Sequence, residues 1–200
     1  MDLHIPAGAP ADLFITGALD TRPSGRPDYA REAKAIQALA VAMADAPETV
    51  LPQFVDLALR ITGAFSGGLS LWEPDPAPGV FRWRFLRGTL APFEGAVTPR
   101  NFSPCGITLD RNEPVLTLQP DRVYTWIAEA KVEAPEVLLV PLHSGGAKPL
   151  EARPFGTLWT VGREGQFTRD HARVLTDLAE CVSVAAAQWD RTGRDQLAVQ

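Results

Sequence analysis

The sequence predicts an α+β domain in which an antiparallel sheet of about five or six strands carries the N- and C-terminal helices on one face and loops or short helices over a ligand cavity on the other. Three observations predict it. Apolar residues recur at helical spacing only towards the two ends, before Gly63 and after Thr168. Between them, short apolar runs are separated by Pro- and Gly-rich turns, the pattern of strands joined by hairpins. One long stretch, 88–113, holds too much Pro and Gly for extended regular structure, so it is free to cross the sheet face that the helices leave open.

Composition bounds the class. Two hundred residues with 46% hydrophobic and 22% charged side chains match a globular domain, which excludes a disordered chain, a collagen or a coiled-coil rod. The net charge is −5 and no basic stripe occurs, so nucleic acid is not an expected partner. No apolar stretch reaches the length of a membrane span and no basic leader opens the chain, so the expected location is the cytoplasm. Cys105 and Cys181 lie far apart without a Cys or His at metal-ligand spacing, and His4, His143 and His171 are isolated, so no metal site is expected.

Residues 1–27 read as a Pro/Gly-rich arm, loosely ordered, whose one apolar knot, Leu13-Phe14-Ile15, is the segment able to dock on the domain or on a partner subunit. Asp28 is the expected N-cap of a first helix with Ala33, Ile36, Ala40 and Met43 on one face. Asp45-Ala46-Pro47 starts a second, faced by Val50, Phe54, Leu57 and Ile61 and ended by Gly63. Residues 68–72 and 81–85 then read as a hairpin across the turn 73–79. Strict alternation puts Phe81, Trp83 and Phe85 on one face of its second strand and Arg82 and Arg84 on the other. Residues 88–113 are irregular except for a helical turn over 107–111, 115–118 is a short strand, and 121–134 is weak helix or loop. Residues 137–142 and 156–161 are buried strands flanking a loop over 143–154. Thr168 caps a long helix with a seam of Leu175, Leu178, Val182, Ala185 and Trp189, and 191–200 is a frayed tail, which leaves 28–190 as the folded domain.

This element order from Asp28 to Asp190 resembles that of GAF domains, relatives of the PAS fold, and in particular those attached to bacterial sensor histidine kinases. The local marks of the resemblance are Phe102-Ser103-Pro104-Cys105-Gly106, Leu138-Leu139-Val140-Pro141-Leu142, Phe155-Gly156-Thr157-Leu158-Trp159 and Phe167. It implies a signal-transduction input module that binds a small molecule or transmits dimer geometry to a partner such as a histidine kinase, with a ligand that the fold does not fix.

Members of the family differ in the residues they use. Bilin-binding GAF domains carry a Cys followed by His, or an Asp-Ile-Pro string; here Gly106 follows Cys105 and no such string occurs, so no covalent bilin is expected. The Asn-Lys-Phe-Asp-Glu string of cyclic-nucleotide GAF domains is also missing. The free methionine-(R)-sulfoxide reductases are echoed by Ala91-Pro92-Phe93-Glu94-Gly95 and by Cys105-Gly106. Their nucleophilic Cys falls in a segment resembling 121–136, where this chain offers Glu129 or Ala130.

The pocket candidates are Trp83, Phe93, Phe102, Ser103, Cys105, Trp126, Glu136 and Trp159, all in the sheet or the crossover. No catalytic residue is assigned. Cys105 reads either as a thiolate activated by a helix N-terminus, hence the redox candidate, or as an inert residue filling space under the loop. Either the aromatic wall or the Arg82–Arg84 pair faces the cavity; Arg84 and Arg100 read as solvent-exposed arginines, with a ligand carboxylate as the alternative partner. The leading function is therefore ligand sensing, the alternative thiol-dependent redox chemistry at Cys105. Val174, Cys181 and Ala185 widen the apolar arc of the last helix, which predicts a homodimer.

Overall fold

The computed structural model describes residues 9–143 and 154–197, with side chains in the last helix as far as residue 183. Six strands form one antiparallel sheet: β1 (Ser66–Glu73), β2 (Val80–Arg87), β3 (Val97–Pro99), β4 (Val115–Leu118), β5 (Glu136–His143) and β6 (Pro154–Gly162), in the spatial order β3-β2-β1-β6-β5-β4. The fold class is the one the sequence predicts. Most of the expected loop 143–154, His4, the side chains of Ala185 and Trp189, and the last three residues lie outside the described residues.

The helical face is built by α2 (Tyr29–Asp45), α3 (Val50–Thr62) and α6 (Arg169–Leu197), after a single turn α1 (Ala18–Thr21). Asp28 caps α2 by accepting the Arg31 N–H at 3.0 Å, and Gly63, at φ 68°, ends α3 in the left-handed conformation that a side chain resists. Phe54, Leu57, Leu175, Leu178 and Val182 meet Leu69, Leu71, Leu138, Val140 and Leu158 of the sheet in one core. Two expectations about these helices are corrected. In α2 the buried positions are Ala35, Leu39 and Ala42, while Ala33, Ile36 and Ala40 face solvent, because in an alanine-rich helix the periodicity is nearly degenerate and Leu39 decides the face. In α6, Val174 lies inside the helical core and adds nothing to an outward arc. No helix among the described residues is long and apolar enough to cross a membrane.

Strand β2 departs from strict alternation. Its register against β1 shifts between Gly67 and Leu69, and Phe85, at φ 57°, turns to the helical core while Leu86 takes the opposite face beside Phe81 and Trp83. The three aromatics are therefore divided between two cores. Arg82 sits opposite Leu71 and pairs with Glu73 at 2.6 and 2.9 Å, so the arginine side of β2 looks away from the cavity. The stretch 88–113 is more regular than expected: it holds a 3-10 turn (Gly88–Phe93), β3 and a helix α4 (Pro104–Arg111). Ser103 caps α4 by accepting the Gly106 N–H at 3.2 Å, and a Cβ on Gly106 would stand 2.1 Å from the Arg100 carbonyl oxygen, so only glycine fits that close approach. A 3-10 turn (Pro120–Arg122) and a short helix α5 (Thr125–Glu129) occupy the segment left as weak helix or loop.

From Leu13 to Arg22 the arm packs on the domain, contrary to the loose tail expected from its composition, while Pro23 to Arg26 stay exposed. Leu13 is fully buried, its carbonyl accepts the Leu118 N–H, and the Ile15 N–H donates to Leu116, each at 2.9 Å, so the arm covers the outer edge of β4. Pro and Gly stop long elements but leave room for such short pairing. Further on, Arg22 forks onto Glu136 at 2.8 and 2.7 Å and donates to the Phe167 carbonyl at 2.8 Å. Glu136 also accepts the N–H groups of Gly165 (3.0 Å) and Phe167 (3.1 Å). Its carboxylate is thus a fully buried clamp joining the arm, β5 and the entry to α6.

Removing Arg22 would leave that carboxylate buried without its counter-charge, so Arg22→Ala is expected to lower the unfolding free energy by about 3 kcal/mol or more. Arg122→Ala, which removes an exposed pair with Asp12 and exposed donations to the Leu118 and Gln119 carbonyls, should cost about 1 kcal/mol or less. Urea denaturation of both variants checks this, and equal small losses would remove the clamp from the account.

Candidate functional site

On the face opposite the helices, the sheet and its crossovers line a partly open apolar cavity of about 50 Å³. Its floor is Trp83 of β2, Val137 and Leu139 of β5, and Trp159 and Val161 of β6, which alternation sends away from the helices. Its roof is assembled from pieces: Leu90, the Pro104–Cys105 start of α4, Pro120, Trp126 and Ile127 of α5, and Val132 and Ala134 beyond it.

Three indoles set the shape. Trp83 meets Trp126 edge-on at 5.6 Å and 68°, and Trp159 at 5.3 Å and 51°. The Trp126 indole N–H donates to the Phe102 carbonyl at 3.0 Å, which pins α5 to the strand-to-helix turn before α4. The Trp159 indole N–H donates to Ser70 Oγ at 3.0 Å, and the Cys105 thiol donates to the same oxygen at 3.3 Å. The Trp83 indole N–H and the Tyr124 hydroxyl are buried without a hydrogen-bond partner among the described residues.

Of the eight pocket candidates, the structure brings Trp83, Cys105, Trp126 and Trp159 together around the cavity. Phe93 packs behind it, Phe102 offers its carbonyl to Trp126 and its ring edge to Tyr124 at 5.2 Å, and Ser103 is spent on capping α4. Glu136 is a correction: it alternates with Leu138 and Val140 towards the helical side and serves the clamp. Arg100 is a second correction. Its guanidinium pairs with Asp110 at 2.6 Å, donates to the Gly106 carbonyl at 3.2 Å and lies over Trp72 at 5.7 Å, so it braces α4 and does not face a ligand. The roof residues Ile127, Val132 and Ala134 escaped sequence reasoning. The one signal for them was the cluster Tyr124, Trp126 and Ile127 in an otherwise polar stretch.

Cys105 sits in the first turn of α4, yet burial pushes its thiol up, outweighing the lowering by its hydrogen bond to Ser70. Cys181 lies on α6, on the other side of the sheet, and is also pushed up, by burial and then by Glu180 and Asp177. Both thiols are therefore protonated at neutral pH, and the sheet stands between them. Burial lowers the pKa of His143 and of His171, so both rings are neutral at pH 7. Among the described residues no group of three His, Cys, Asp or Glu side chains gathers as a metal site would require.

No family model matches the sequence, and no curated protein matches it. Solved structures do. The GAF domain of a phosphoenolpyruvate-protein phosphotransferase (ptsP) from Coxiella burnetii superposes with a TM-score of 0.67 at 16% identity, covering 84% of this chain and 99% of that one. The free methionine-R-sulfoxide reductase from Neisseria meningitidis, solved with its substrate, gives 0.64 at 20% identity, over 85% and 96% of the two chains. The second GAF domain of DevS from Mycobacterium smegmatis gives 0.54 at 20%, over 75% and 99%. The antiparallel sheet with helices on one face and a roofed cavity on the other defines an α+β domain whose fold is that of GAF domains.

The buried thiol generates a direct test. Iodoacetamide applied to the native protein at neutral pH should leave Cys105 unmodified, and denaturant should expose it. Rapid native labelling of Cys105, read by peptide mass spectrometry, would contradict its burial and its protonated state.

Proposed function

We propose that this chain is a cytoplasmic sensing module that binds a small molecule in the tryptophan-walled cavity and regulates a partner signalling protein, a histidine kinase or an enzyme of similar role, through helix-mediated homodimer geometry. The observation that carries the reading is the cavity itself: apolar, partly open, and on the sheet face free of helices. At about 50 Å³ it is far smaller than the several hundred Å³ typical of ligand pockets. Binding therefore selects a state in which the roof is raised, and the ligand's preference for that state supplies the signal.

A route from roof to helix supports the regulatory part. Leu13 of the arm packs against Ile127 of the roof and against Tyr124, and nine residues on Arg22 holds Glu136 and the Phe167 carbonyl at the entry to α6. Displacing the roof pulls on the arm, and the arm pulls on α6. For the dimer, the supporting surface is on α2, where Tyr29 and Ile36, seven residues apart on one helix face, are exposed, with a second copy of the chain as occupant. A reducing compartment suits two free cysteines divided by the sheet.

The reductase reading draws on the fold shared with the free methionine-R-sulfoxide reductase. It is the weaker one here because Cys105 is buried and protonated, and Glu129 and Ala130 offer no thiol at the roof.

Native mass spectrometry of the gently purified chain tests the proposal, beside Val161→Phe, which fills the cavity. A small-molecule adduct on the wild type that the variant loses supports sensing. Turnover of free methionine sulfoxide that depends on Cys105 overturns it. The dimer is tested by light scattering: Ile36→Glu should yield monomers from a dimeric parent, and a monomeric parent at micromolar concentration refutes the assembly.

A further inference from the structure

A groove of about 640 Å³ opens between α2, α3 and the end of β2, with Ala38, Leu57 and Leu59 as its apolar lining. Helical spacing carries the same flank of α2 on to Lys34 and Arg31 in one direction and to Val41, 53% exposed, in the other.

The charges along this groove do not balance. The carboxylate of the lining, Asp56, is forked by Arg87 at 2.7 and 3.4 Å. Lys34 and Arg60 are exposed, and their side chains make no hydrogen bond or ion pair among the described residues. The Arg31 guanidinium donates to the Arg60 carbonyl, which sets a third cation beside Arg60 without a carboxylate. Elsewhere Arg22, Arg82, Arg100, Arg122 and Arg173 are all paired with acids. A stripe of unpaired cations on a chain whose net charge is −5 draws acidic partners to that place.

The shape narrows the partner. A free small anion is poorly served, because the groove is open and Lys34, Arg60 and Arg31 all stand in solvent. Nucleic acid or an anionic membrane would meet these few cations against the repulsion of the whole chain. A helix laid between α2 and α3 uses both features at once: its apolar stripe meets Ala38, Val41, Leu57 and Leu59, and carboxylates beside that stripe meet Arg31, Lys34 and Arg60. From Arg31 to Val41 the flank runs about 15 Å, room for about three helical turns.

Resting on the reading of this chain as a module that regulates a partner protein, we infer that the groove between α2 and α3 docks an acidic amphipathic helix of that partner. Ile36, on the surface assigned to the second copy, is two residues from Ala38 and so roughly 200° round α2, on the opposite flank from the groove. Glu32 of α2 is forked by Arg173 of α6 at 2.7 and 3.2 Å, so a partner seated here rests on helices tied to one another.

Three synthetic helices of about four turns test this on the full chain by fluorescence anisotropy: one with a leucine stripe flanked by glutamates, one with the glutamates replaced by lysines, and one with the acidic composition scrambled so that no stripe forms. The first should bind saturably, about tenfold or more tighter than the other two, and weaken as salt rises. Lys34→Glu with Arg60→Glu should reverse the preference, so that the lysine helix binds in place of the glutamate one, an outcome that unfolding cannot produce. Arg122→Glu with Lys131→Glu, the same change in net charge placed at the roof, should leave the preference intact. Equal binding of the acidic helix to both double variants, or equal binding of the acidic and scrambled peptides to the wild type, overturns the groove. Phosphatidylserine vesicles captured through Lys34 and Arg60, with no binding of the acidic helix, overturn the protein partner. A chain that keeps its small-molecule adduct in native mass spectrometry and binds none of the helices overturns this surface and leaves the sensing reading standing.

Discussion

Side chains along a strand point alternately to the two faces of a sheet, so every central strand here must serve two different cores. Leu158, Leu138 and Leu69 go under the helices, while their neighbours Trp159, Leu139 and Ser70 go to the cavity side. The helices complete the first core by presenting Phe54, Leu175 and Val182 as continuous stripes. The second has no long element to complete it. It is closed by a 3-10 turn, two short helices and the loops between them, whose side chains enter singly, and the space they fail to fill is the cavity. The site is thus a consequence of how the sheet is covered, and the bulge at Phe85 adjusts it by moving one aromatic out and Leu86 in.

The two faces are joined by a piece of chain that belongs to neither. The arm pairs with the edge of β4, packs Leu13 against Ile127 of the roof, and ends with Arg22 in the Glu136 clamp. A buried carboxylate meets a large desolvation cost, which four donated hydrogen bonds from Arg22, Gly165 and Phe167 offset. Such a group is sensitive to the loss of any partner, and its partners come from the arm and from the approach to α6.

What the sequence made legible follows the same physics. Long periodic elements were readable: α3, both strands of the hairpin, β5, β6 and the start of α6 stand where periodicity and turn residues place them. The face of α2 was not, because alanine supplies little contrast between stripes, and the side reached by Phe85 was not, because a bulge leaves no mark in a run of aromatics. Among site residues, Trp83 and Trp159 were readable from alternation and Cys105 from its place after Ser103-Pro104. Glu136 was misread because an acidic residue opening an apolar strand looks the same whether it meets a ligand or an arginine from the arm. The roof was illegible for a further reason: it is held by tertiary contacts such as Trp126 to Phe102, which no local pattern encodes.

The central claim is that the helix-free face of the sheet carries an apolar cavity walled by Trp83, Trp126 and Trp159. Crystals pressurised with xenon test it most directly, since xenon enters dry apolar cavities. The account predicts a strong xenon peak among Trp83, Trp126 and Trp159 and no ordered water in the unpressurised crystal at that place. Water bonded to the Trp83 indole in the absence of xenon, with no xenon peak on pressurisation, would contradict it.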